Sequence, residues 1–225
     1  MHISPMRESG KDDHMTERKI AVYRALVLLS IAGAALATLP AFSQDTMPSP
    51  VQPTTNDVKT MQLDLQHRSH EIHWPDGFNP ETADLFSHNE AVIHASCERV
   101  WDNIVDATKW PQWYPNSKDV SIVGDSPVLT RDAVFHWTTF GLKLESRIRE
   151  FVPYTRIGWY GYAPGTSPSF YHTWYLTPAG DSCRVVMDEV GNGTDAAHLR
   201  ETDESLMHRG HDLWLATLKW VSEAH

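Results

Sequence analysis

Between residues 117 and 190 the apolar side chains recur every second residue, which is the period of a β-strand with one buried face. The alternation is clearest in residues 142–149, where apolar or small side chains alternate with charged ones. Six strands are predicted here, at residues 117–124, 133–140, 142–151, 156–163, 169–177 and 183–190. Their links are short and rich in turn-forming residues, so we expect antiparallel neighbours. A charged face opposite an apolar face indicates a sheet covered on one side only.

The last segment, residues 198–224, is predicted to be the helix that covers this sheet. It is long enough for about seven turns. At 100° per residue, Asp203 lies inside its apolar stripe and His211 lies at the edge of that stripe. The stripe itself is formed by Met207, Gly210, Trp214, Thr217, Leu218 and Val221.

A further strand and two short helices are predicted before the six strands. Residues 91–95 are β-prone, and Ser96 follows where a helix N-cap would stand. Pro111 and Pro115 bracket a second short helical turn. The predicted fold class is therefore α+β, with a curved seven-stranded antiparallel sheet wrapped around a long C-terminal helix and two short helices after the first strand. A sheet bent around a single helix leaves space between them, which is the expected ligand pocket.

The first 43 residues have the pattern of a signal peptide. Arg18, Lys19 and Arg24 precede an uncharged apolar run at residues 25–39, and an A-x-S site ends at Ser43. The run would be about 22 Å long as a helix, too short for a hydrocarbon core of about 30 Å. We expect cleavage near Ser43 and export to the periplasm or the exterior. The alternative is a protein tethered by the uncleaved segment.

The predicted organisation after cleavage is one domain behind a polar extension. Residues 44–83 are predicted to be a flexible or irregular extension, and residues 84–225 a single ligand-binding domain. No stable membrane insertion is expected once the signal peptide is removed. Either Met1 or Met15 is a possible start, and the sequence does not indicate an oligomeric state.

Charge and aromatic content narrow the class of partner. After residue 43 the chain has 14 basic and 25 acidic residues, a formal net charge of −11. Such a surface repels phosphate backbones, which argues against a nucleic acid partner. All nine Trp residues fall in this part, which indicates either a large core or a cavity lined with aromatic rings.

Several short motifs resemble those of a known superfamily. Residues 93–101 fit the opening I-x-A-P/S-x-E-x-V-W, and residues 106–115, 148–153, 156–159 and 180–185 match later stretches in order. The chain thus resembles the SRPBCC superfamily, specifically its polyketide cyclase/dehydrase and lipid-transport branch, related to START domains and the birch-pollen allergen. This resemblance implies a helix-grip fold, an apolar cavity and usually neither a metal nor a bound cofactor. It does not imply an enzyme, since members include cyclases, hydratases and plain binders.

The strand phase of residues 142–149, with the family-like Ile157 and Trp159, predicts which side chains line the cavity. The expected wall residues from the sheet are Phe135, Trp137, Trp159, His172, Trp174, Met187 and Glu189, and those from the helix are Asp203, Met207, His211 and Trp214. The candidates for acid–base chemistry or for holding the polar end of a ligand are His172, Glu189, Asp203 and His211. The alternative is that these four pair with one another or lie in solvent.

The cysteines and one histidine run are two further candidates. In the fold implied by the resemblance the first and last strands pair, which places Cys97 beside Cys183 and predicts a disulfide; the alternative is two small buried thiols. His67, His70 and His73 would share one face of a helix and could bind a metal there. The polar context and Pro75 argue against a helix, so we expect no metal and no cofactor.

Three functions fit these observations. The first is binding of an apolar small molecule, such as a lipid, an aromatic or a polyketide-like compound. The second is a cofactor-free cyclase, dehydratase or hydratase that uses the inward His and carboxylate groups. The third is an interaction module of the cell envelope in which the cavity is incidental.

Overall fold

The computed structural model describes residues 60–224, and the predicted signal peptide with its cleavage site lies outside them. The described residues contain five α-helices: Thr60–His67 (α1), Cys97–Val105 (α2), Trp110–Trp113 (α3), Thr194–Asp203 (α4) and Leu206–Glu223 (α5). They contain seven strands: Leu85–Ile93 (β1), Ser117–Ile122 (β2), Val134–Thr139 (β3), Leu142–Val152 (β4), Arg156–Tyr162 (β5), Phe170–Ala179 (β6) and Ser182–Gly191 (β7). Two short 3-10 turns, Pro80–Thr82 and Ala107–Lys109, complete the elements.

All seven strands form one antiparallel sheet in the order β1-β7-β6-β5-β4-β3-β2. The strand that comes first in the chain therefore pairs with the last, from Leu85 opposite Gly191 to Ile93 opposite Cys183. A register shift in β4 between Ile148 and Glu150 marks a bulge, which bends a strand and increases its twist. The predicted α+β fold, a seven-stranded antiparallel sheet with a C-terminal helix, is confirmed.

The C-terminal helix is not the single long helix predicted from the sequence. It is divided into α4 and α5, with Glu204 and Ser205 between them. Around this break the Asp203 carboxylate accepts hydrogen bonds from Ser205 Oγ and from the Arg209 guanidinium. Polar side chains that bond locally in this way compete with helix continuation, which explains why α4 ends at Asp203.

The first strand begins six residues earlier than predicted and is covered on both faces. Residues 85–89 are all buried, because alternate side chains point toward α5 on one face and toward residues 60–84 on the other. On this second face Met61 and Phe78 pack against Phe86 and Tyr171. The segment expected to be irregular thus contributes α1 and a small apolar cluster of its own.

An ion pair joins α1 to α5. His208 Nδ1 lies 3.0 Å from the Asp64 carboxylate, and that hydrogen bond, opposed by partial burial, raises the pKa of His208 above 6.5. A raised histidine pKa contributes stability that is fully present below the unfolded-state pKa and is lost as pH rises through the folded-state pKa. Asp212, on α5, also faces His208 and adds to the shift.

We therefore expect His208→Gln to lower the free energy of unfolding more at about pH 5.5 than at about pH 8.5. The difference should be up to about 1 kcal/mol, the range of partly exposed pairs. Urea denaturation at both pH values measures it, with His198→Gln as the control because His198 is exposed on α4. An equal loss at the two pH values would show that the pair contributes no ionic stabilisation.

The two cysteines are joined. Cys97 at the start of α2 and Cys183 in β7 form a disulfide, the pairing expected from the sequence. It is placed there by the register, since Ile93 at the end of β1 lies opposite Cys183. The bridge fixes the entry to α2 against the last strand of the sheet.

Candidate functional site

A cavity of about 240 Å³ lies between the inner face of the sheet and the C-terminal helices. Its apolar wall is formed by Tyr114, Trp137, Phe140, Leu142, Leu144, Trp159, Gly161, Phe170, Leu199, Leu206, Met207 and Trp214. The remaining lining residues, Thr139, Ser146, His172, Glu189 and His211, are polar. An apolar pocket with a few convergent polar groups is the usual form of a small-molecule site.

The strand register places three of the important side chains in one row across the sheet. Glu189 in β7 lies opposite Ser87 in β1 on one side and opposite His172 in β6 on the other. Residues directly opposite in an antiparallel sheet point to the same face. The row continues to Trp159 in β5, which lies opposite His172 and stacks on its imidazole at a centroid distance of 4.7 Å.

His211 completes a buried polar cluster by approaching this row from α5. Its Nε2 lies 2.9 Å from Glu189 Oε2, and the same oxygen lies 3.2 Å from His172 Nδ1. The side chains of His172, Glu189 and His211 are 4%, 17% and 5% exposed. Two imidazoles thus converge on one carboxylate oxygen at the cavity wall, an arrangement that we call the Glu189 cluster.

Burial and hydrogen bonds set the ionisation of Glu189 and His172. Burial alone would raise the pKa of Glu189, but the hydrogen bonds from His172 and His211 outweigh it and lower that pKa to about 2. Burial lowers the pKa of His172. At neutral pH Glu189 is therefore an anion and His172 is a neutral imidazole that donates its Nδ1–H to Glu189 Oε2.

The hydrogen bonds of the Glu189 cluster also determine which of its polar atoms have no partner. Because an ionised carboxylate only accepts, His211 donates from Nε2, and the buried Ser87 hydroxyl lies 2.7 Å from its other ring nitrogen. His172 Nε2 is buried without a hydrogen-bond partner among residues 60–224. Glu189 Oε1 accepts no hydrogen bond from any described residue, and Glu189 lines the cavity.

Aromatic rings hold the other side of the cavity in place. Trp214 on α5 stacks on Tyr114 with a centroid distance of 4.5 Å and an interplanar angle of 3°. Burial raises the pKa of Tyr114 to about 12, so its hydroxyl stays protonated. At the opening, the Phe140 ring packs on Gly210, where an added Cβ would lie only 2.3 Å from Phe140 Cζ. A side chain at Gly210 would therefore displace the Phe140 ring.

Most of the predicted wall residues line the cavity. They are Trp137, Trp159, His172, Glu189, Met207, His211 and Trp214. Phe135, Trp174 and Met187 do not, although each is fully buried on the same face of the sheet. Trp110 packs edge-on against Phe135, and Trp214 packs edge-on against Trp174. These indoles fill that half of the inner face, so the prediction was wrong for the three residues.

Asp203 was also wrongly placed in the cavity. Its carboxylate pairs with Arg209 at 2.8 Å, and its side chain is 41% exposed. The prediction assumed one continuous helix, and the break after Asp203 removes the helical phase on which it rested.

The sequence reasoning missed several wall residues. Leu144 and Ser146 have the strand phase of Ile148 and were available from the alternation. Ser87, the partner of His211, was missed because the first strand was begun at residue 91. Thr139, Leu142, Gly161 and Phe170 also have the strand phase of wall residues, whereas Tyr114, Phe140, Leu199 and Leu206 lie in loops or on the C-terminal helices.

The histidine run at residues 67–73 does not assemble a site. His67 bonds to the Leu63 carbonyl, while His73 bonds to Glu150 in β4. Within residues 60–224, the Glu189 cluster is the group of three possible metal ligands found close together. Its ligand atoms all lie within 4.8 Å of one another.

None of the helices in residues 60–224 is long and apolar enough to cross a membrane.

Comparison with known proteins agrees with this fold. A family model described as polyketide cyclase / dehydrase and lipid transport matches residues 87–213. The hypothetical protein jhp0584 from Helicobacter pylori is 26% identical, with a TM-score of 0.64 over 69% of this chain and 98% of its own. TTHA0849 from Thermus thermophilus is 20% identical, with a TM-score of 0.49 over 61% of this chain and 96% of its own. None of the curated proteins compared with the chain is a match.

Proposed function

Because the chain belongs to the polyketide cyclase/dehydrase and lipid transport family of the SRPBCC superfamily, we propose that it binds an apolar small molecule in the cavity beside Glu189. The ligand carries one hydrogen-bond donor, a hydroxyl or an N–H group. Its apolar body lies against the aromatic wall, and its donor meets Glu189 Oε1.

The proposal rests on the difference in polarity between the cavity wall and Glu189 Oε1. The wall is apolar and aromatic, whereas Glu189 Oε1 is an anionic acceptor to which no described residue donates. Hydrogen bonds to an ionised acceptor are stronger than those between neutral groups, so a ligand donor would gain a favourable contact at this atom. The volume of about 240 Å³ favours a ligand smaller than drug-sized molecules, whose sites span about 300–1,000 Å³.

The alternative of a cofactor-free cyclase or dehydratase is less favoured by the same cluster. A general base works best with a pKa near the operating pH. Hydrogen bonds from two imidazoles instead hold the pKa of Glu189 at about 2, despite burial, and make it a weak base. Burial also lowers the pKa of His172, and its unpaired Nε2 is itself buried. Binding therefore fits the arrangement better than proton abstraction.

The proposal includes export. The basic and apolar pattern of the first 43 residues supports it, and so does the Cys97–Cys183 disulfide, because disulfides persist in oxidising compartments. Mass spectrometry of the mature N-terminus tests this part: a protein that begins near residue 44 is expected, and one that retains residues 1–43 would refute cleavage.

Cavity filling tests the apolar half of the proposal. Gly161 in β5 lies on the cavity wall, and a Cβ there would make only an ordinary contact of 3.7 Å with Phe170. We expect Gly161→Phe to fill the cavity and to weaken binding of the neutral probe N-phenyl-1-naphthylamine at least tenfold, measured by its fluorescence. Val123→Phe is the matched control, because Val123 is 58% exposed. Equal affinity in the two folded variants would refute binding at this cavity.

The proposed hydrogen bond to Glu189 is tested with two ligands that differ in whether they carry a donor. With EDTA present, 2-naphthol should bind more tightly than 2-methoxynaphthalene, which lacks the donor. Glu189→Gln should reduce that preference, because an amide oxygen is a weaker acceptor than a carboxylate. If both ligands bind alike to the unsubstituted protein, Glu189 does not receive the donor.

A further inference from the structure

The Glu189 cluster brings the donor atoms of a metal site close together. Its ligand atoms come from β6, β7 and α5, far apart in sequence, and all lie within 4.8 Å of one another. For bonds of about 2.1 Å, neighbouring donors lie about 3.0 Å apart in octahedral and about 3.4 Å apart in tetrahedral coordination. The two separations from Glu189 Oε2, 2.9 and 3.2 Å, are close to these values, and His172 Nδ1 and His211 Nε2 lie within 4.8 Å of each other.

The charge balance of the cluster also points to a cation. Glu189 is largely buried, yet among the described residues its ion-pair partners are only the two histidines, with no Lys or Arg beside it. Buried charges in proteins are paired or coordinate metals. The neutral imidazole of His172 compensates an anion only through its dipole, whereas a divalent ion would supply full positive charge.

We propose that His172 Nδ1, Glu189 Oε2 and His211 Nε2 bind one divalent transition-metal ion of the zinc type. Two imidazoles and one carboxylate suit such ions, whereas Mg²⁺ and Ca²⁺ favour oxygen ligands alone. This departs from the sequence-based expectation of no metal, because the sequence did not reveal that α5 brings His211 onto the row of strand residues.

A metal site of this kind also needs a hydrogen-bond partner for a ligand histidine and an open coordination position. Ser87 supplies the first, and the cavity supplies the second. Metal-bound histidines usually donate their second ring N–H to a fixed partner, and Ser87 Oγ lies 2.7 Å from His211 Nδ1. When His211 Nε2 coordinates the ion, its ring proton lies on Nδ1 and is donated to Ser87 Oγ. When His172 Nδ1 coordinates the ion, the ring proton of His172 lies on Nε2. All three ligands line the cavity, which leaves the remaining coordination position facing it.

Ion binding is independent of the organic ligand and is tested with the metal alone. The untagged full-length chain is stripped with EDTA, dialysed, and titrated with ZnCl₂ by calorimetry and with CoCl₂ by visible absorption. We expect one ion per chain and the intense d–d bands of a low-coordinate Co²⁺ site. His211→Ala should weaken Zn²⁺ binding at least 100-fold, and Ser87→Ala, which removes a partner of a ligand, should weaken it about 10- to 100-fold.

The matched control is His70→Ala, because His70 is exposed in the histidine run near α1. Its affinity should stay within twofold of the unsubstituted chain. Absence of stoichiometric binding, or equal binding by His211→Ala, would overturn the proposal. If circular dichroism shows that His211→Ala is unfolded, Glu189→Gln decides in its place, with the same expected loss. Probe binding by the EDTA-treated protein reports separately on the apolar cavity, so failure of one proposal leaves the other open to its own test.

Discussion

Replacing both cysteines, as Cys97→Ala with Cys183→Ala, should lower the free energy of unfolding by about 4.6 kcal/mol. The bridge spans 86 residues, and closing a loop of that length removes about this much chain entropy from the unfolded state. Alanine leaves no buried hydroxyl at Cys183, which is fully buried. Denaturant unfolding of oxidised protein and of the double variant measures the difference.

Reducing agent provides the control for this prediction. It should destabilise the unsubstituted protein by a similar amount and leave the double variant unchanged. A loss of less than about 1 kcal/mol in both comparisons would mean that the bridge adds little to the pairing of β1 with β7. Removing a native disulfide from a small domain usually costs about 2–5 kcal/mol, so such a result would be clear.

Trp214→Ala should cost about 3–5 kcal/mol, the range for truncating a buried aromatic side chain. Trp214 is 3% exposed, stacks on Tyr114 and packs edge-on against Trp110 and Trp174. Its removal leaves a void that is continuous with the cavity, since Trp214 lines it. Binding of a probe larger than a naphthylamine should therefore improve even as stability falls.

The matched control is Trp220→Ala on the same helix. Trp220 is 68% exposed, and its truncation should change stability by no more than about 0.5 kcal/mol. Thermal and urea unfolding of the two variants test the pair. Similar losses in both would show that Trp214 does not hold α5 against the sheet.

The strands could be predicted because their alternation is local. Residues 142–149 fix the inward phase of β4, and the register carries that phase from strand to strand. The β6–β7 turn is short, so the pairing of His172 with Glu189 follows from counting back along both strands from Ala179 and Ser182. Two members of the cluster were therefore accessible to sequence reasoning.

The remaining errors concern features that depend on tertiary packing and local hydrogen bonds rather than on sequence periodicity. The break between α4 and α5 depends on local bonds of Asp203 that helical periodicity does not record. Phe135, Trp174 and Met187 have the correct phase, but which half of the inner face stays empty depends on where Trp110 and Trp214 pack. Ser87 was missed because β1 carries buried residues on both faces and so lacks a clean alternation.

The pairing of β1 with β7 has a consequence for the order in which the chain acquires its structure. Successive strands from β2 to β7 form hairpins from nearby residues, whereas within residues 60–224 β1 pairs only with β7, about 90 residues further along the chain. Contacts between distant residues slow folding, because loop entropy is lost before they form. During synthesis β1 emerges first and waits until β7 has followed. We therefore expect β1 to close on β7 only after the hairpins from β2 to β7 have formed, and the Cys97–Cys183 disulfide to form with or after that closure.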